Sequence, residues 1–145
     1  IHWLNHGELI SMQTSFTVYQ KTIDIHHGLY QYMLSNGEKV FGTQALLTSG
    51  HKQEHHLDGA QTQAYVLASD ISICTDAPSN SSIVNQLVGV ISAIEQEANQ
   101  VMIEVNCNGQ PFYVSISSYS LDKLALKLSQ QIYIQFKASA IKLTC

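Results

Sequence analysis

The amino-acid sequence predicts an all-β protein made of two small β-barrel lobes, with one short helix in the second. Three observations carry that expectation. Apolar and polar residues alternate with a period of two through most of the chain, in short runs rich in Val, Ile, Tyr and Phe. Asn36-Gly37 and Asn108-Gly109 lie 72 positions apart, and each separates two such runs. The phrase Ala68-Ser69-Asp70-Ile71-Ser72-Ile73 is echoed, 70 positions on, by Ala138-Ser139-Ala140-Ile141-Lys142-Leu143. Two features repeated in the same order at nearly the same offset point to a duplicated β unit.

Each element follows from its own signal. Strands are expected over residues 15–20, 28–34, 39–43, 64–67 and 71–74 in the first half. In the second half they are expected over 87–94, 101–107, 111–116, 132–136 and 141–144, with Pro111 tolerated as a strand's first residue. Asn-Gly is the strongest short hairpin signal, because both residues accept the positive φ of a type I′ turn. Leu121 and Leu124, at helical spacing behind the serines at 117, 118 and 120, predict a helical turn or two with a serine N-cap. The only Pro/Ser/Asn cluster, Ala77-Pro78-Ser79-Asn80-Ser81, is the expected boundary between lobes. The predicted organisation is therefore a linker or helix remnant over 1–12, a first lobe over 13–78 and a second over 79–145.

Composition narrows the function. With 45% hydrophobic and 12% charged residues, the 145-residue chain is a folded domain, not a solvated tail. Its apolar runs are too short to span a membrane as a helix. The net charge is −4 and every basic residue is a lysine, which argues against a nucleic-acid partner, since such sites concentrate basic residues and favour arginine. Four of the seven lysines nevertheless fall after position 120, where a small anion could be attracted. Cys74, Cys107 and Cys145 form no C-x-x-C pair, which excludes zinc ribbons and thioredoxin-like motifs.

No Gly-x-x-x-x-Gly-Lys-Ser/Thr, G-x-S-x-G or H-E-x-x-H occurs, so neither a P-loop nor a familiar catalytic set is present, and the chain is not expected to be an enzyme. His51 and His55, four apart in His51-Lys52-Gln53-Glu54-His55-His56, would share a helix face and could hold a transition metal. A solvated loop between Gly50 and Gly59 is the plainer reading of that segment, and no metal site is assigned. An anion needs converging donors and a compensating charge. Ser117 and Ser120 at a helix start, with Lys137, offer hydroxyls, backbone N–H groups and one ammonium.

From about Thr75 onward the chain resembles the Mop/TOBE family of molybdate-binding domains. Ser81-Ser82-Ile83-Val84-Asn85-Gln86-Leu87 is similar to the family's opening motif. Val114-Ser115-Ile116-Ser117-Ser118-Tyr119-Ser120, Leu124-Ala125-Leu126 and Ile134-Gln135-Phe136-Lys137-Ala138-Ser139-Ala140-Ile141 follow in family order and spacing. Upstream, Val66-Leu67-Ala68-Ser69-Asp70-Ile71-Ser72-Ile73 resembles the phrase that precedes the Mop domain in molybdate ABC-transporter ATPase subunits.

That resemblance implies two OB-like lobes, forming the C-terminal accessory or regulatory region of an ATP-binding subunit whose ATP-binding domain lies upstream. It implies molybdate or tungstate as ligand, pairing of two copies through the second lobe, and permease subunits as partners of the parent. The implied location is cytoplasmic, at the inner face of the membrane. The oxyanion ligands carried over are Ser82, Ser117, Ser120, Lys137 and the backbone of Ala138, with Asn85 supporting the loop. One departure stands out: where the family carries arginine in the opening motif, this chain has Val84, which donates nothing and desolvates a nearby anion. The implied consequence is a weakened site and more weight on dimer contacts. The alternatives are a molybdate-responsive regulator, a molybdate-storage protein, or a ligand-free structural dimerisation module.

Overall fold

The structure is a computed structural model that describes residues 12–20, 26–45 and 61–144. Among these residues it is mostly β, with ten strands and one short α-helix, as the alternation requires. The strands are β1 (Gln13–Gln20), β2 (Tyr30–Leu34), β3 (Lys39–Gly42), β4 (Gln61–Leu67), β5 (Ser72–Cys74), β6 (Asn85–Glu97), β7 (Gln100–Cys107), β8 (Gln110–Ser117), β9 (Gln131–Phe136) and β10 (Lys142–Leu143). The helix α1 (Ser118–Leu124) follows β8. No helix among the described residues is long and apolar enough to cross a membrane.

Two five-stranded sheets result, ordered β10-β4-β1-β2-β3 and β5-β9-β6-β7-β8. The compact units are interleaved in sequence, and this differs from the consecutive lobes expected at 13–78 and 79–145. One unit gathers residues 12–14 with Leu67–Phe136; the other gathers the described residues from 15 to 66 with those from 137 onward. Strand pairing explains the exchange. β5 leaves the first half to pair antiparallel with β9, and β10 leaves the second half to pair antiparallel with β4. The crossings fall on the two copies of the repeated phrase, at Ala68–Asp70 and Ala138–Ala140, each folded as a short 3₁₀ turn followed by an extended isoleucine. The Pro/Ser/Asn cluster is a loop between β5 and β6 within one unit.

In the 67–136 unit the long central strand β6 alternates buried and exposed residues from Asn85 to Ser92, turning Leu87, Gly89 and Ile91 inward. A register shift between Ile91 and Ala93 breaks the alternation and bends the strand. The sheet is strongly curled. Phe112 on β8 and Phe136 on β9 stand three inter-strand steps apart, roughly 14 Å in a flat sheet, yet their rings stack with centroids 6.0 Å apart. Tyr113 N–H on β8 donates to the Thr14 hydroxyl at 2.9 Å, and Ala68 N–H to the Met12 carbonyl at 2.8 Å, so Met12 and the start of β1 bind this unit. Cys107 is buried on β7 and Cys74 partly buried on β5, neither in a disulfide.

The two Asn-Gly turns differ. Asn108 (φ 54) and Gly109 (φ 92) form the expected two-residue type I′ turn between the paired Cys107 and Gln110. In the 15–66 unit, Gly37 takes φ 94 but Asn36 stays at negative φ. There Leu34 N–H donates to the Glu38 carbonyl at 2.8 Å, Gly37 N–H donates to the Leu34 carbonyl at 3.0 Å, and the Asn36 side chain accepts from Glu38 N–H at 2.9 Å. One extra residue makes this the longer hairpin loop with glycine in the left-handed position.

Candidate functional site

The helix start is built as expected. Ser117, extended at φ −81 and ψ 158, ends β8 and caps α1, its Oγ accepting from Ser120 N–H at 3.1 Å. The two hydroxyls meet, with Ser117 Oγ donating to Ser120 Oγ at 3.2 Å. These two site residues are therefore together, with the capping bond already made inside the chain. The helix ends where Ala125 takes φ 53, and its N–H returns to the Asp122 carbonyl at 3.1 Å.

The opening loop is ordered by its first serine. Ser81 Oγ accepts from Ile83 N–H at 3.0 Å and donates to Gln135 Oε1 at 3.3 Å, and Ser82 beside it is exposed. Val84, the residue in place of the family arginine, is 40% exposed. Asn85 is buried at the start of β6 and paired with Phe136, after which the chain runs directly into Lys137. Lys137 is exposed, and its carbonyl accepts from Ala140 N–H at 3.0 Å in the turn that buries Ala138.

Within one copy the strand register separates these groups. Asn85 sits at the N-terminal end of β6, whereas Ser117 pairs with Gln100, which pairs with Glu97 at the C-terminal end. A straight 13-residue strand would run roughly 40 Å, which the bulge and curl shorten. Ser82 and Asn85 thus belong to one end of β6, and Ser117 with Ser120 to the other. His51 and His55 lie outside the described residues. Among the described residues no group of three His, Cys, Asp or Glu side chains is placed to hold a metal.

Sequence reasoning missed Gln135. It is 7% exposed, and its amide donates to Cys74 Sγ at 2.8 Å while its oxygen takes the Ser81 hydroxyl. This side chain ties the opening loop to β9 and β5. The signal was a polar residue in the apolar run 132–136, opposite Gln86, legible only once the register is known.

The sheets and the capped helix define a small all-β domain of OB-like fold. Residues 81–143 match the family model of the TOBE domain, and the chain is homologous to the C-terminal region of molybdenum import ATP-binding proteins. It is 38% identical over 87 residues to the molybdenum import ATP-binding protein ModC of Haemophilus ducreyi, covering 60% of this chain and 25% of that protein. It is 34% identical over 85 residues to ModC 2 of Azotobacter vinelandii, covering 57% and 24%. Against ModC of Pasteurella multocida it is 30% identical over 83 residues, covering 57% and 24%. The match therefore spans about a quarter of these curated relatives. Among solved structures, the cytoplasmic molybdate-binding protein ModG with molybdate bound superposes with a TM-score of 0.73 at 20% identity, covering 89% of this chain and 93% of that one. That likeness is one of fold.

Proposed function

We propose that this chain is the accessory, regulatory region of the ATP-binding subunit of a molybdate or tungstate importer, and that it binds the oxyanion between two copies. The observation that carries the reading is the split of the candidate ligands on a domain related to molybdenum import proteins. Ser82 and Asn85 stand at the start of β6, Lys137 and Ala138 come directly after its partner β9, and Ser117 with Ser120 mark the other end of β6. A twofold axis perpendicular to β6 would set one end of the strand against the opposite end of its mate, and two copies so arranged would complete what one lacks. Exposed valines support pairing: Val88 and Val90 on the outward face of β6 and Val84 just before the strand are each 40–43% exposed.

The chemistry suits a tetrahedral dianion. Serine hydroxyls and a backbone N–H supply directional donors, and the Lys137 ammonium supplies charge, each charge-assisted bond contributing about 1.5–3 kcal/mol. The domain itself catalyses nothing in this reading; ATP belongs to an upstream domain of the parent, which would reach the permease subunits at the inner face of the membrane. Regulation requires that the bound oxyanion prefer one arrangement of the paired subunits, because affinity alone shifts no equilibrium.

Calorimetry with molybdate, tungstate and sulfate, combined with light-scattering mass at matched concentration, tests the reading. The expected outcome is heat with molybdate or tungstate from a dimer. No heat with any of the three would leave a structural dimerisation module. A second reading, a free-standing molybdate-binding or storage protein, is favoured by the 93% coverage of the ModG chain. The residues encoded before Ile1 separate the two: a P-loop and ABC signature belong to the importer alone.

A further inference from the structure

The outward face of the 67–136 sheet buries one polar side chain where its neighbours are exposed. On β6 the inward residues are Leu87, Gly89 and Ile91, so Gln86 and Val88 face outward, and both are exposed. Gln135 on β9 stands directly opposite Gln86, and Tyr133 stands opposite both Val88 and Cys74. Directly opposed residues share a face, as do residues two apart on one strand, so Gln135 and Cys74 lie on the outward face as well. Yet Gln135 is 7% exposed where Val88 is 43% exposed.

Its hydrogen bonds show what covers it. Gln135 Oε1 accepts from the Ser81 hydroxyl at 3.3 Å, and Nε2 donates to Cys74 Sγ at 2.8 Å. The segment before β6 therefore folds back over this face, and the buried amide is satisfied at both ends. Ser81 Oγ accepts in turn from Ile83 N–H at 3.0 Å, a side-chain-to-backbone turn that encloses Ser82. Gln86 holds the same turn from its other side, its Nε2 donating to the Ile83 carbonyl at 3.0 Å. Both neighbours of Ser82 are thus tied to the sheet, while Ser82 itself is exposed.

We infer that Gln135 is a positioning residue: through Ser81 it fixes the turn that presents Ser82, so the loop is set before an anion arrives. This role rests on the proposed oxyanion reading and goes beyond it, because Gln135 is not among the candidate ligands and acts only through its neighbours. Fixing a loop in advance removes its ordering cost from binding. Leucine at 135 would leave the Ser81 hydroxyl without its acceptor and Cys74 Sγ without its donor.

Calorimetric titration with molybdate, together with amide hydrogen exchange of the ligand-free 145-residue chain read by NMR, tests it. Gln135→Leu and Ser81→Ala, the latter at an exposed position, are each expected to weaken molybdate binding about five- to tenfold, the loss of one hydrogen bond. The double variant is expected to bind no more weakly than the weaker single one, because both changes break the same link. Ser81→Thr, which keeps the hydroxyl, is expected to keep wild-type affinity. In Gln135→Leu the Ile83 amide should exchange several-fold faster while the amides of the β6–β9 ladder keep their wild-type rates. Wild-type affinity in Ser81→Ala, additive losses in the double variant, or an unchanged Ile83 rate in Gln135→Leu overturns the positioning role and leaves the oxyanion reading standing. A wild-type chain that binds no molybdate overturns both.

Discussion

The two units of this molecule solve one packing problem in different ways. Each places a glycine in a strand where a neighbouring strand leans against it. In the 67–136 unit, a Cβ on Gly89 would meet Val105 Cγ1 at 2.6 Å, Cys107 Sγ at 2.7 Å and the Asn106 carbonyl at 2.8 Å. In the 15–66 unit, a Cβ on Gly42 would run into the Tyr32 ring. The first glycine is covered by two side chains and a backbone carbonyl of β7, the second by one aromatic side chain. A duplicated topology therefore does not preserve the contacts that hold it. Sequence repetition survives here in the turns, where backbone conformation is selected, and fades in the cores, where only volume and polarity are.

The sharpest way to break that comparison is to add a methyl group to each glycine. Gly89→Ala should cost about 3 kcal/mol, because the Asn106 carbonyl belongs to the β6–β7 ladder and cannot withdraw without breaking it. Gly42→Ala should cost about 1–2 kcal/mol, because a ring can tilt where a ladder cannot. Urea denaturation of both variants checks the order, and a larger loss in Gly42→Ala would mean that Tyr32 is held as rigidly as a backbone.

Tyr32 sharpens the contrast from the other side. It is fully buried, its hydroxyl donates to the Gln44 carbonyl, and burial pushes its pKa from 10.0 up to about 12. The folded state thus holds the phenolic proton more tightly than the unfolded chain does. Stability from this source is complete below pH 10 and falls as pH rises through about 12, by about 2–3 kcal/mol in all. Tyr32→Phe should flatten that alkaline loss while costing about 1 kcal/mol at neutral pH for the missing donor. Tyr113, in the other unit, is also raised, by burial first and then by its neighbour Glu104. An alkaline slope identical in Tyr32→Phe and wild type would assign the loss to residues other than Tyr32.

How much of this was legible beforehand follows from which forces are local. The strands, the serine cap at Ser117 and the turn at Asn108-Gly109 are set by residues near in sequence, and all were readable. The interleaving was not, because nothing local to Ser72–Cys74 says that β9 is its partner while β10 belongs beside β4. The candidate site divides along the same line. Ser117 and Ser120 lie within one turn, so their proximity is local and readable from spacing. The opposite placement of Asn85 and Ser117 depends on the full register of β6, β7 and β8, which spacing does not encode. Gln135 stayed hidden for the same reason: its partners Ser81 and Cys74 are 54 and 61 positions away.

The hairpins give the smallest and most discriminating test, because one dipeptide meets two backbones. Asn108 sits at φ 54, a conformation that asparagine tolerates and glycine adopts freely, so Asn108→Gly should change stability by only a few tenths of a kcal/mol. Asn36 stays at negative φ, where glycine brings no relief, and its side chain accepts from Glu38 N–H at 2.9 Å. Asn36→Gly loses that acceptor and adds unfolded-state freedom, for an expected cost of about 1 kcal/mol. Thermal denaturation of the two variants in parallel reads the difference directly. Equal effects would mean that both loops settle into the same turn in solution, and the extra residue of the first hairpin would then lose its structural meaning.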